Sequence, residues 1–469
     1  MGGNFKRSRI GYFGFSPEVT QGNRCFKFKA TGGSTTTVVC SDSAVAGYDN
    51  ANIASATGDF FKGLQIYFVT GNLAGTIVDV TVSAYAGSDH TWTFATAALA
   101  AANTDEFYVM GRLPASNLSF TVGTENLTRE EFIRATLDRP SSLKGLDVVN
   151  GSFDMEMPGR VDAVTSTTID PDVYSQFMQV IGTRSTTAGG ATPLSPTVPN
   201  TTTTMEMASV TGQAVGGYVM VDEIYEVARI TDITGSVLTF EPAMSSAPGN
   251  SKTVWGSEHW TPDDTGHQSV TFINLADDQL FTMNGCVCNF GMSAEFGALV
   301  SASIEFTGDT YTVDTSAVTS FAFDSINSKT VPFITGRAIG RYSSVDTELY
   351  IGNFDFDMGN GVELLRDTNE NQQALIVTRE AQLSYSYRDR DGDKDQTTTA
   401  EALGYVLDTY LQIGNRTQNC LGLYGKTQVQ DPSTMASRTG GVNYWDATSW
   451  FVDDSTDALN PAKPILFRF

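Results

Sequence analysis

Two stretches of this chain, about 230 residues apart, follow one pattern. Residues 150–182 read NGSFDMEMPGRVDAVTSTTIDPDVYSQFMQVIG, and residues 380–414 read EAQLSYSYRDRDGDKDQTTTAEALGYVLDTYLQIG. Each begins with an alternating strand, on Phe153, Met155 and Met157 or on Leu383, Tyr385 and Tyr387. A polar, glycine-containing turn follows, then an amphipathic stretch that ends at a glycine. A unit used twice doubles geometry, whereas chemistry needs a single site. The pattern therefore points to an assembly protein and away from an enzyme.

The spacing predicts a helix in each copy. In the first, Asp170 is the expected N-cap and Pro171 the first helical residue, with Val173, Phe177, Val180 and Ile181 on one stripe and Gly182 as stop. In the second, Thr398 and Glu401 form a capping box, and Leu403, Val406, Leu407, Tyr410 and Leu411 form the apolar set before Gly414. Nearly everything else alternates with period two and is punctuated by Gly and Asn, including 286–307, 347–357 and 443–469. The expected fold class is mainly β: two sandwich or half-barrel units, each with one helix, plus two small inserted β domains.

The inserts are a second, smaller repeat. Residues 63–111 match 216–256 in a Gly before an alternating strand, a second strand, Thr93-Phe94 against Thr239-Phe240, and an Ala-rich turn. The Thr/Pro-rich stretch 185–204 and GGSTTT at 32–37 lead into the two copies. The expected organisation is an N-terminal core strand (1–33), a first insert (34–110), core (111–195), a second insert (196–256), core (257–345), and a second core unit (346–469).

Composition narrows the function. Apolar and aromatic residues make up 41 % of the 469 residues, enough for a large core, and charged residues only 17 %. With 29 Lys+Arg against 53 Asp+Glu the net charge is −24, and no basic run exists to neutralise phosphates. That balance argues against sequence-specific nucleic-acid binding, while it leaves open the passage of DNA along a repelling surface. No apolar run has the length of a signal peptide or a membrane span, so the expectation is folding in a cytosol.

The search for chemistry yields little. Cys25, Cys40, Cys286, Cys288 and Cys420 are too scattered for a disulfide framework, and Cys286 and Cys288 share a strand face as expected buried thiols. His259 and His267 flank a loop with Asp263 and Asp264, a pattern that in principle holds a metal and more often is solvated; His90 stands alone. Asp389, Asp391, Asp393 and Asp395 around Gly392 resemble a calcium loop. The glycine is misplaced, however, and Ala400 stands where the bidentate ligand belongs. No nucleophile elbow, Walker loop or dinucleotide fingerprint is present. The expectation is no catalytic, cofactor or metal site.

Several segments, in order, resemble tail tube proteins of long-tailed bacteriophages. They are LTREEFIRATLDRPSSLKGLDVVNGSFDMEM with Gly145, Gly151, Ser152, Phe153 and Glu156; GMSAEFGALVSASIEFTGD; FDFDMGNGVELLRD with Val362 and Arg366; and a last strand of I-x-F type. The resemblance covers the core and not the inserts. It implies a structural virion protein whose inner sheets join around a ring, with two units per chain giving trimers of pseudo-sixfold symmetry. Rings would stack into a tube that conducts DNA. The implied partners are the chain itself, tape-measure, tail tip and terminator proteins, and passing double-stranded DNA, with assembly in a host cytoplasm and no membrane. The alternative is a virion fibre, capsid decoration or adhesin built of β-sandwich domains.

Overall fold

The computed structural model describes residues 10–53, 59–86, 88–97, 99–127, 143–160, 169–189, 199–262, 267–276, 279–314, 331–333, 336–342, 345–366, 372–388, 406–414, 420–439, 442–452 and 463–469. The fold is mainly β, and two sets of seven strands carry it. The first set is β1 (Ile10–Pro17), β2 (Ser116–Leu127), β3 (Leu143–Glu156), β4 (Val270–Ala276), β5 (Gln279–Glu295), β6 (Ser301–Gly308) and β7 (Thr310–Asp314). The second is β8 (Gly336–Tyr342), β9 (Val345–Asp357), β10 (Gln382–Arg388), β11 (Val406–Ile413), β12 (Leu421–Thr439), β13 (Val442–Phe451) and β14 (Ile465–Arg468).

Every strand of the first set has its counterpart seven places later. The antiparallel pairs β1–β4, β4–β5, β5–β6, β5–β7, β6–β3 and β3–β2 recur as β8–β11, β11–β12, β12–β13, β12–β14, β13–β10 and β10–β9. In the second unit β9 also pairs with β8, closing a six-stranded barrel. The half-barrel expected from sequence is thus closed here. Closure is possible because β12 spans 19 residues, long enough to pair with β11 at its start and with β13 further on. In the first unit Gly14 and Phe15 of β1 pair instead with Arg112 and Gly111, just before β2.

Alternation explains the cores. In β3, Phe153 and Met155 point inward, and in β6 Ala302, Ile304 and Phe306 do the same. Phe13, Phe153, Phe272 and Phe306 meet at ring-centre distances of 5.0 Å (Phe13–Phe153), 5.6 Å (Phe153–Phe272) and 4.6 Å (Phe272–Phe306). Burying each such side chain contributes ~1.5–3 kcal/mol. Phe354, Phe356, Leu383 and Tyr385 are the matching buried side chains of the second unit.

Helix α1 (Val173–Phe177) continues into a 3-10 turn, Met178–Val180. Its N-cap is Asp172 rather than the expected Asp170: the Asp172 carboxylate accepts from Ser175 N, and the Ser175 hydroxyl accepts from Asp172 N. The second expected helix is corrected more strongly, since residues 406–413 are strand β11. This strand lies centrally between β8 and β12, with Leu411 in the barrel core and Tyr410 under a neighbouring module. Burial on both faces erases the period-two pattern, which left a stripe at helical spacing. Thr398, Glu401 and Leu403 lie outside the described residues.

The small modules also repeat. Strands Gln65–Phe68, Ile77–Ala86, Asp89–Phe94 and Thr37–Ser41 pair in the same order as Tyr218–Val221, Val227–Thr234, Val237–Glu241 and Thr204–Glu206. The shared Thr-Phe pair does one job twice, with Thr93 opposite Thr37 and Thr239 opposite Thr204. The first module's core is continuous with that of the first unit, while the second has a core of its own. Each module covers an outer sheet. Tyr67, Tyr108 and Met110 lie on Ile273 and Leu275 of β4, and Tyr218 and Met220 lie against Tyr410 of β11 and Tyr424 of β12.

A buried ionic network ties the units together. Glu258, fully buried, meets Arg160 at 2.8 Å, Arg184 at 2.9 Å and Arg468 of β14; Arg468 also reaches Asp172 at 2.6 Å. Burial alone would raise both carboxyls, but the Arg468 and Arg160 guanidiniums outweigh it and hold Glu258 and Asp172 below the usual range. Removing one partner of such a pair costs ~3–5 kcal/mol. Glu258→Gln is therefore expected to lower the urea midpoint by that equivalent. Because these folded carboxyls titrate below their unfolded values, the network's contribution is whole above pH ~4 and is lost as pH falls further, a loss that Glu258→Gln reduces.

Candidate functional site

Eight strands form one continuous antiparallel sheet in the order β2–β3–β6–β5–β9–β10–β13–β12. The four-strand order of the first unit is repeated in the second, and the joint between them is β5 against β9. There Gly291 faces Asp357, Ser293 faces Asp355 and Glu295 faces Asn353.

One face of this sheet is the core just described. The other is mostly polar, because most outward positions carry small or acidic residues, with Trp450 beside Gln382 and Tyr444 beside Arg388 as aromatic exceptions. One row crosses Asp154, Ser303, Gly291, Asp357 and Gln382; the next crosses Glu156, Ser301, Ser293, Asp355, Ser384 and Thr448; a third crosses Glu295, Asn353, Ser386 and Asp446. Glu305 stands between Ser152 and Asn289. Among the described side chains the face carries seven carboxylates: Asp154, Glu156, Glu295, Glu305, Asp355, Asp357 and Asp446. Among its described side chains the cation is Arg388, at the margin beside Tyr444.

Side chains on this surface tie mostly to each other. Asn289 donates to Asp357 at 3.0 Å, Asn117 to Asp154 at 2.8 Å, and Thr307 to Asn150 at 3.1 Å, while the Ser384 and Thr448 hydroxyls share a bond of 3.1 Å. Two open grooves of about 410 and 630 Å³ run along it, lined by Glu305 and Asn150 in one and by Glu295, Asp355 and Asp446 in the other. Neither converges on a nucleophile or a base. The arrangement offers a broad anionic surface rather than a pocket.

The hairpin Asn360–Arg366/Gln372–Arg379 leaves the β9–β10 connection and reaches back over the first unit. Asn360 donates to the Cys288 carbonyl at 3.1 Å and Gln372 to the Asp147 carbonyl at 3.0 Å, and Ala374 N donates to the Asp309 carboxylate at 2.5 Å. Gly285 adopts φ +66°, and a side chain there would collide with Asp309. Burial pushes the Asp309 carboxyl up to about 7, and nearby Glu18 adds to the effect. Glu18 is itself buried, accepting from Gly22 N, Gly285 N, Ser269 and Thr271 at 2.7–2.9 Å.

The residues singled out from sequence go to structural places. His90 is buried and bonded to Ser83 at 2.8 Å, and burial lowers its pKa to about 4. His259 sits inside strand Ser257–Thr261 against Tyr218, likewise lowered to about 4 by burial. Asp263 and Asp264 lie outside the described residues, as do Asp389, Asp391, Asp393 and Asp395. All five cysteines are buried and unbridged, and burial pushes the Cys286 and Cys288 thiols up. Among the described residues no three His, Cys, Asp or Glu side chains gather as a metal site, and no helix is long and apolar enough to cross a membrane. The chain matches no protein-family model and no curated protein.

Burial raises the Asp309 carboxyl by more than the Ala374 N–H bond lowers it, so the folded state binds this proton more tightly than the unfolded chain and the stability of the region falls as pH rises through about 7. Hydrogen exchange at amides 372–379 is expected to speed up between pH 6 and 8 beyond the intrinsic base-catalysed rate. Asp309→Asn should remove that excess; an unchanged excess in the variant contradicts the assignment.

Proposed function

We propose that this chain is a structural tube subunit, of the kind that builds the tail tube of long-tailed bacteriophages, with its anionic sheet face lining a channel for DNA. One observation carries the reading: an eight-stranded sheet, built twice over from one unit, polar on one face and open at both ends. Among the described residues, β2 pairs only with β3, and the β12 backbone beyond Asp431 pairs only with β13. Open edges of this length invite strand addition unless they are covered. Closing the sheet through neighbouring copies removes them.

Dimensions agree with a ring of three. Eight strands at ~4.8 Å make an arc of ~38 Å, so three chains give a wall of ~115 Å circumference and a bore of ~37 Å between backbones, before strand tilt widens it. Two chains would give ~24 Å, most of which is taken by side chains from opposite walls. The carboxylate lining then repels phosphate, so DNA passes without being gripped. The two small modules lie on the outer sheets, away from the channel. In a virion such a tube would surround a tape-measure protein and end at tip and terminator proteins.

Negative-stain microscopy of the purified chain is expected to show rings or stacked tubes. The triple variant Glu305→Lys, Asp355→Lys, Asp446→Lys should still assemble but retain duplex DNA at physiological salt, where wild-type tubes do not. A chain that stays monomeric at high concentration, with no ring at any stage, overturns the proposal.

A further inference from the structure

The joint between the two units fixes the joint between chains. Resting on the self-assembly proposed above, we infer that β12 of one copy pairs with β2 of the next as a replica of the internal β5–β9 joint, with Asp431 opposite Ser119 and Thr434 opposite Ser116.

The register follows from the repeat. Phe153 of β3 corresponds to Leu383 of β10, since each occupies the same place in its unit. Ser152 faces Ser119, and its counterpart Gln382 faces Asp357, so Ser119 corresponds to Asp357. Asp154 faces Ser116, and Ser384 faces Asp355, so Ser116 corresponds to Asp355. On the other side Ser303 faces Gly291 and its counterpart Thr448 faces Asp431; Ser301 faces Ser293 and its counterpart Asp446 faces Thr434. Inside the chain Gly291 faces Asp357 and Ser293 faces Asp355. Substituting counterparts gives Asp431 with Ser119 and Thr434 with Ser116, antiparallel as in the template.

A second observation supports the match independently. β12 carries extra residues against β13 at three places, Val429–Asp431, Asp431–Thr434 and Met435–Ser437, and the middle one lies at the height of the extra residue in β2. In β2 three steps separate Ser116 from Ser119 where two separate Asp355 from Asp357, and Asn117 takes up the extra residue at φ +52°. In β12 three steps separate Asp431 from Thr434 where two separate Gly291 from Ser293, and Pro432 falls in that interval. Between the two proposed contacts the extra residue on each edge keeps the strands in step, and the other extra residues of β12 lie outside that interval. Proline, which lacks a donor, is tolerated at such a place. The occupant these edges fit is a second copy of this chain.

The test is disulfide trapping in assembled protein, with the native cysteines buried and silent. A chain carrying Ser116→Cys with Thr434→Cys, oxidised by copper phenanthroline, is expected to run as closed multimers on a non-reducing gel and to return to monomer on reduction. Ser116→Cys with Ala436→Cys, two residues out of register, should link at least fivefold less. Mixing the two single variants Ser116→Cys and Thr434→Cys should give dimers and nothing larger. Rings that form but fail to link at 116/434, or that link better at 116/436, overturn the register while leaving the tube reading intact. Wild-type chain that forms no ring overturns both.

Discussion

The pairing of β5 with β9 is the interaction on which the rest of the molecule depends. It joins the four-strand sheet of one seven-strand unit to that of the other, so that an open unit and a closed barrel share one eight-stranded sheet. Both strands are long, 17 and 13 residues, and each divides its length between two partners on that side or the other. The first part of β5 serves the outer sheet, with β4 and β7, and its second part serves the shared sheet. A strand that changes sheets in mid-course lets one backbone satisfy both a barrel and a wall. The ionic network around Glu258 and the hairpin docked on Asp309 then hold the two units in the relative position that the strand pairing sets.

What this construction leaves over is as informative as what it closes. A barrel removes its own edges, yet the shared sheet ends in β2 on one side and the far half of β12 on the other. The chemistry of the two sheet faces differs accordingly. Phe, Met, Ile and Leu pack inward at alternate positions, while the intervening Ser, Thr, Asn, Asp and Glu keep the outward face wet and negative. Among the described side chains the seven carboxylates, with Arg388 at the margin, repel each other, a cost tolerated where they remain solvated. Such a surface suits a polyanion that has to move past it.

Much of this was legible from residues. The alternation of Phe153, Met155 and Met157 and of Leu383, Tyr385 and Tyr387 marks equivalent strands, and the Thr-Phe pairs mark equivalent places in the small modules. The short helix was recoverable, two residues early, because Asp170 and Asp172 are both competent caps and only Asp172 has Ser175 three residues on. Residues 406–413 were not recoverable by periodicity, since a strand covered on both faces carries no alternation. The Glu258 cluster draws Arg160, Arg184, Asp172 and Arg468 from places up to 308 residues apart in the chain, which no local pattern can signal. The anionic face was visible only as surplus charge until the register aligned its rows.

The most direct measurement of the central claim is backbone hydrogen exchange at the two open edges before and after assembly. Those amides within 116–124 and 431–439 that point away from β3 and β13 are expected to exchange freely in dissociated chain and to slow by orders of magnitude in assembled rings, while those of β5 and β9 are protected in both. Edges that exchange equally fast in ring and monomer would mean that the copies meet elsewhere, and the sheet would not be the wall of a tube.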